Sequence, residues 1–267
     1  MIDQILQQAP VFLLIFIRAF AMLMTLPLFS IRAVSRVAKV ALAGYIAFFV
    51  FGTVDFSVYE PYIGQDGAFS MEYFLLAIGE GMIGVLMGFF ITIIFGAFSS
   101  AGQFTAFQMG FSAASTYDSL AQVENPLMGQ FFNFIAMLIF MQTQCFQKLF
   151  LSGLTASYKS LNAINIVMAR ENVVKFLFGG LTKLFADALV ISLPLMGTLL
   201  LISICTGLLS KAAPQMNLLS EGFPIMILVS FFLIAIILPY LVDFFANSFT
   251  MGFGKLQTLF REVGGGI

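Results

Sequence analysis

The sequence predicts an all-α, polytopic helical membrane protein, and three observations carry that prediction. Only 9% of its 267 residues are charged, whereas a soluble domain carries about a quarter. Apolar residues make up 60% and the mean hydropathy is +1.02. Six apolar runs, at about residues 9–31, 37–54, 70–98, 126–151, 173–210 and 223–250, are continuous rather than alternating. Crossing a hydrocarbon core of about 30 Å takes about 20 helical residues, and continuous apolarity calls for helices where a membrane barrel would alternate. No Pro/Gly/Ser linker, low-complexity tract or repeat divides the chain, so one helical membrane domain over 1–267 is expected.

The first run follows Asp3, where a secretory leader would carry positive charge, and no small-residue cleavage site follows. A retained anchor is expected. Arg32, Arg36 and Lys39 separate the first two runs. Lys and Arg mark the cytoplasmic side, which puts this turn inside and the N-terminus outside. The next connection, residues 55–69, holds Asp55, Glu60 and Asp66 without a base and suits the outside.

The third run is too long for a simple span, since 29 residues make about 44 Å of helix. It contains "IGEGMIGVLMG", in which Gly84 and Gly88 form a GxxxG beside Gly81. Small residues at this spacing let helix backbones approach closely, whether the neighbour is this chain or another. Residues 107–126, "FQMGFSAASTYDSLAQVENP", then turn small and polar, with Asp118 and Glu124 and no Lys or Arg.

In the fourth run Gln130, Asn133, Met137, Met141, Gln144 and Lys148 recur at spacings of three and four. That places them on one helix face, directed at protein or water rather than lipid. The fifth run carries Lys175, Lys183 and Asp187 in its first half and is purely apolar only after Ala188. An amphipathic segment leading into a span is expected, with an i,i+4 pair between Lys183 and Asp187 and a kink at Pro194. Strict alternation through six spans would put the C-terminus outside, yet Lys255, Arg261 and the basic residues of 148–175 favour the inside. The conflict arises between residues 70 and 148. One resolution is that residues 70–126 enter and turn back, or line a cavity, where irregular backbone survives at membrane depth.

Composition excludes several functions. A net charge of −1 without Lys/Arg clusters argues against nucleic acid. The chain has no histidine, which removes histidine metal ligands, catalytic triads and histidine proton relays. Cys145 and Cys205 lie within apolar runs and read as small buried hydrophobes. No phosphate loop, EF-hand or nucleophile elbow is present. No catalytic residue, cofactor or metal site is expected, and no enzyme. The 15 Met and 34 Phe read as packing material, and the lack of Trp weakens the usual aromatic belt.

Arg18 and Glu80 fall inside apolar runs, where a charge costs about 2.5–3.5 kcal/mol at mid-membrane. They read as isolated charges, serving either an ion path or contact with another subunit or a wet cavity.

Two stretches point to a family. "AGQFTAFQMGFSAAS", residues 101–115, and "KAAPQMNLLSEGFPI", residues 211–225, together with the early basic turn "SRVAKVALA", residues 35–43, resemble the FliR family. This is the R subunit of the flagellar type III protein export gate, related to the T subunit of injectisomes. The resemblance runs along nearly the whole chain, and the second stretch favours the flagellar branch.

The resemblance implies long and broken helices arranged as hairpins, like a fusion of P-type and Q-type export-gate subunits, with residues 1–187 P-like and 188–260 a Q-like hairpin. It implies a loop that plugs the pore, here about Gly110 to Glu124. The matching plug positions are Met109, Gly110, Phe111, Ser112, Ala113, Ala114, Ser115, Thr116, Tyr117 and Asp118. Their small side chains suit a stretch that fills a lumen and leaves it at little cost, and Phe104, Phe107 and Phe111 can anchor one face.

Subunit packing would fall on Glu80, Gly84, Gly88, Pro214, Gln215, Asn217, Gly222 and Pro224. Implied partners are the P-type and Q-type membrane subunits, the B-type switch and A-type export subunits, unfolded flagellar substrates and membrane lipid. The implied place is the inner membrane of the flagellar basal body. Such assemblies form a helical cone rising largely out of the bilayer plane, which accounts for the failure of strict alternation. An alternative of a different class is a self-contained secondary transporter or ion channel using Arg18 and Glu80. The absence of histidine and of paired intramembrane charges counts against it.

Overall fold

Where apolar runs leave no water for backbone N–H and C=O groups, the chain closes those bonds locally as helix. The computed structural model describes residues 2–30, 34–54, 59, 70–110, 127–212 and 218–264. Helix α1 is Ile2–Thr25, α2 Pro27–Ser30, α3 Arg36–Phe51 and α4 Met71–Gln108. Then follow α5 Leu127–Gln142, α6 Cys145–Ser160, α7 Ala163–Met168, α8 Arg170–Ala212 and α9 Leu218–Val263. Helix α3 begins at Ser35, whose hydroxyl accepts from the Ala38 amide and so satisfies one unpaired donor of the first turn. Asn162 does the same for α7 through the Asn165 amide at 2.7 Å.

The three long helices have 38, 43 and 46 residues, or about 57, 65 and 69 Å at 1.5 Å per residue. Each is about twice a hydrocarbon core. The fifth apolar run lies in one helix that starts at Arg170 and continues through residues 187 and 188 and past Pro194. Residues 71–108 are likewise unbroken, so the chain does not turn back within them. Among the described residues, a marked backbone irregularity lies between α5 and α6. Gln144 has φ 56°, and the two helices meet at 71°. A π-helical stretch, Lys148–Gly153, follows inside α6.

This bend corrects the expected polar stripe. Gln130, Asn133, Met137 and Met141 do share α5, but Gln144 sits at the break and Lys148 belongs to the next helix. The pattern of threes and fours survives a left-handed residue in the sequence but not in space.

By its internal contacts the chain divides into two units, residues 1–93, 141–180 and 249–267, and residues 94–140 and 181–248. In the first, α3 runs antiparallel to α1, with Phe12 and Phe51 edge to face at 6.1 Å. Helix α6 is also antiparallel to α1, since the Tyr158 hydroxyl donates to the Ile15 carbonyl at 2.9 Å while Phe146 meets Phe29 at 5.7 Å. The start of α8 lies on α4 through Phe176 and Phe90, 4.3 Å apart.

In the second unit α5 packs antiparallel on the end of α4, with Phe140 on Phe95 and Gly129 against Gly102. Phe245 of α9 stacks on Phe98 at 3.9 Å. Helices α8 and α9 form an antiparallel hairpin joined by Ser248 to Asp187 at 3.1 Å and by Ser203 to the Met226 sulfur at 3.5 Å. Lys183 and Asp187 form the expected pair at 2.7 Å.

Burial is uneven along these spans. The most apolar window of α4 is 56% buried within the chain, those of α8 and α9 only 28% and 17%. Helix α4 is therefore a core element, whereas the hairpin leaves most of its apolar surface for lipid or protein to cover. Cys145 is buried as expected. Cys205 is exposed, because it lies on the hairpin helix whose outer face the chain itself does not cover.

Candidate functional site

Helices α1 and α4 run in parallel in the first unit, along a seam set by glycines. A Cβ at Gly84 would press on the Arg18 carbonyl and lie 3.0 Å from the Ala21 Cβ. One at Gly88 would lie 2.7 Å from the Met22 carbonyl oxygen and collide with Thr25. The GxxxG therefore packs on α1 of the same chain, and only hydrogen atoms fit where the backbones meet. Further along, the Thr92 hydroxyl donates to the Thr25 carbonyl at 2.7 Å. Gly79 faces α7, where a Cβ would come 3.2 Å from the Ala163 Cα.

At the head of this seam sits a buried ionic cluster. Arg18 and Glu80 are both 0% exposed, and the Arg18 Nε donates to Glu80 Oε2 at 2.5 Å. Arg18 Nη1 donates to Ser157 Oγ at 2.9 Å and Nη2 to the Leu161 carbonyl at 3.0 Å. Its guanidinium lies 3.8 Å over the Tyr158 ring. The Tyr59 hydroxyl donates to the other Glu80 oxygen, Oε1. Burial, and after it the Glu80 charge, push the Tyr59 hydroxyl above its ordinary pKa, so it stays a donor. Close by, the Tyr73 hydroxyl donates to the Pro10 carbonyl at 2.9 Å, and Leu14, Tyr59, Tyr73, Leu76 and Ala163 form one apolar cluster.

From the sequence, Arg18 and Glu80 are expected to be isolated; the structure pairs them. They lie 62 residues apart, and nothing in local spacing joins them. The same holds for Tyr59, Ser157, Tyr158 and Leu161, none of which stands out by composition or period. The pairing also bears on the transporter alternative. An ion path needs groups that meet solvent on irregular helices, whereas this pair is sealed and sits on continuous stretches of α1 and α4. Chemically the cluster is a fastener. A buried pair is worth little against a well-packed apolar substitute, but losing one partner costs about 3–5 kcal/mol. It ties α1, α4, α6 and the segment at Tyr59 into one arrangement.

Of the expected plug residues, Met109 and Gly110 are described, and Phe111, Ser112, Ala113, Ala114, Ser115, Thr116, Tyr117 and Asp118 lie outside the described residues. Met109 is wholly buried and its amide donates to the Thr105 carbonyl at 2.9 Å. Gly110 has φ 84°, the left-handed conformation that glycine adopts without strain, and it ends α4. At the base of the following loop α4 and α5 clamp together: a Cβ at Gly102 would lie 2.6 Å from the Gly129 Cα. The loop thus starts and returns on a fixed stem. Of the expected packing residues in the hairpin, Gly222 is buried and Pro224 exposed within α9, while Pro214, Gln215 and Asn217 lie outside the described residues.

Comparison with known proteins gives these elements a context. Residues 9–252 match the family described as bacterial export proteins, family 1. The chain is 30% identical over 264 residues to the flagellar biosynthetic protein FliR of Bacillus subtilis, covering 98% of this chain and 99% of that protein. It is 27% identical over 251 residues to FliR of Escherichia coli, covering 92% and 91%. Over 195 residues it is 28% identical to the surface presentation of antigens protein SpaR of Shigella flexneri, covering 73% and 70%. The glycine seam and the buried cluster lie within residues 9–252, and this protein belongs to the bacterial export proteins of family 1, the FliR family.

Proposed function

We propose that the chain is a non-enzymatic subunit of the flagellar type III export gate in the inner membrane. It forms part of the pore for unfolded flagellar proteins, and residues 110–124 plug that pore at rest. Similarity to FliR over 98% of the chain carries the first statement. The second is supported by the stem. A buried Met109, a left-handed Gly110 and the Gly102–Gly129 contact give the small, polar stretch two fixed ends. A plug held this way is withdrawn by rearranging one loop, with no change in the helices that carry it.

The hairpin α8–α9, with its uncovered apolar faces, supports a Q-like second part that packs against P-type and Q-type subunits. The B-type switch and A-type export subunits would complete the apparatus. Neither the P-like nor the Q-like part needs an active site, since energy would come from elsewhere in the apparatus. The experiment is to delete residues 112–122 and measure ion conductance and subunit co-purification together. A raised leak with the complex intact is the expected result. Unchanged conductance from an intact complex would sink the plug assignment, and failure to co-purify with P-type and Q-type partners would sink the gate assignment.

A further inference from the structure

In the first unit, the beginning of α8 and the end of α9 enclose an open pocket of about 270 Å³. Lys175, Lys255, Asn172 and Glu262 give it a polar lining, and Phe176 and Leu259 an apolar wall. Thr258 lines it too, but its hydroxyl is already engaged, donating to the Gly254 carbonyl at 3.0 Å. Gly179 leaves room, since a Cβ added there would meet nothing within 4 Å. Both lysines are exposed. Among the described residues neither has a carboxylate within 4.0 Å. The lining therefore carries two positive charges and one negative, a balance of +1.

We propose that this pocket receives one acidic side chain, an aspartate or glutamate, carried by a neighbouring subunit; the proposal rests on the chain being a gate subunit. The reason lies in what borders the pocket. Val174 and Phe178, one turn apart on α8 and beside Lys175, are 49% and 65% exposed. Exposed apolar surface rimmed by polar residues marks a face that a protein partner covers. A partner laid over Val174 and Phe178 reaches Lys175 as well. Apolar cover alone would strip the ammonium of water and give nothing back, which is strongly unfavourable.

A carboxylate on the covering surface removes that penalty. The two ammonium groups and the Asn172 amide can donate to its oxygens, and hydrogen bonds between ionised groups are the strong ones. Its charge of −1 cancels the +1 of the lining. The methylene stem of the guest would lie on Phe176 and Leu259. Glu262 restricts the pocket to a single guest, because a second carboxylate would face it with no cation to spare. Charge balance thus selects one acidic side chain from a protein surface whose other contacts are apolar.

The test is carbodiimide coupling of the full chain purified with its partner subunits in mild detergent. The reagent condenses a lysine amine with a touching carboxylate into an amide, and mass spectrometry of the linked peptides identifies both ends. A link from Lys175 or Lys255 to an Asp or Glu of another subunit is expected. Removing one side of a covered charge pair acts on dissociation, so Lys175→Gln/Lys255→Gln should release that subunit at least about 30-fold faster. Glu262→Gln should slow release by up to about fivefold. Gly179→Leu, which fills the pocket without altering charge, should speed it. An intact complex in which both lysines link to nothing, or to Glu262 alone, overturns the pocket assignment and leaves the gate reading standing. So does equal release from the wild type and the double-lysine variant at unchanged melting temperature. Failure of the wild type to retain any partner subunit overturns the gate reading and this proposal with it.

Discussion

Replacing Glu80 by Gln leaves the Arg18 guanidinium buried at 0% exposure without its counter-charge. An uncompensated partner of a buried pair costs about 3–5 kcal/mol, which is a large part of a typical stability of about 5–15 kcal/mol. Arg18→Met leaves the Glu80 carboxylate in the same position and should cost a similar amount.

The double variant Arg18→Met/Glu80→Gln removes both charges. The Gln amide oxygen can still accept from Tyr59, and the Met side chain fills much of the guanidinium's space. What remains is the Leu161 carbonyl and the Ser157 hydroxyl without their Arg18 donors, about 1–3 kcal/mol for an unsatisfied buried group. Ser157 keeps its own bond to the Leu154 carbonyl at 2.7 Å, so its loss falls at the low end. The double variant should therefore be more stable than either single one. Their coupling should be at least about 2 kcal/mol, well outside the roughly 0.5 kcal/mol within which independent sites add.

Thermal or denaturant unfolding of the purified chain in one detergent, for wild type and the three variants, measures the cycle. Additive single effects, or single effects below about 1 kcal/mol, would refute the view that this cluster fastens α1, α4 and α6.

Two further outcomes follow from the glycines. Gly88→Val should part α1 from α4 and cost several kcal/mol, since its Cβ would meet the Met22 carbonyl as well as the Thr25 side chain, and the backbone cannot turn aside; cysteine pairs engineered across the seam would then crosslink less. Gly110→Ala should cost about 1 kcal/mol through its left-handed φ of 84°, raise resting ion leak less than loop deletion does, and leave co-purification of the subunits unchanged.

The class of the protein was legible because burying this much apolar surface with so few charges leaves only a membrane or a protein assembly as surroundings. The glycines at 84 and 88 were legible as a close contact but not as a contact with α1, because spacing along one helix says nothing about its neighbour. The ionic cluster was invisible for the same reason. Arg18, Tyr59, Glu80 and Ser157 come together only through tertiary packing. The polar stripe through residue 148 misled because periodicity assumes one helix axis, and Gln144 breaks it. The i,i+4 pair at Lys183 and Asp187 was readable because the helix alone brings the two side chains together.

The pairing of Arg18 with a residue 62 positions later also sets an order of events during synthesis. Translation at about 5–20 residues per second delivers Glu80 some 3–12 seconds after Arg18 leaves the ribosome. Until then α1 holds a bare cation whose insertion is opposed by about 2.5–3.5 kcal/mol. The first helix is thus an indifferent anchor by itself, and its final seating must wait for α4 and then for α6, which supplies Ser157 and Tyr158.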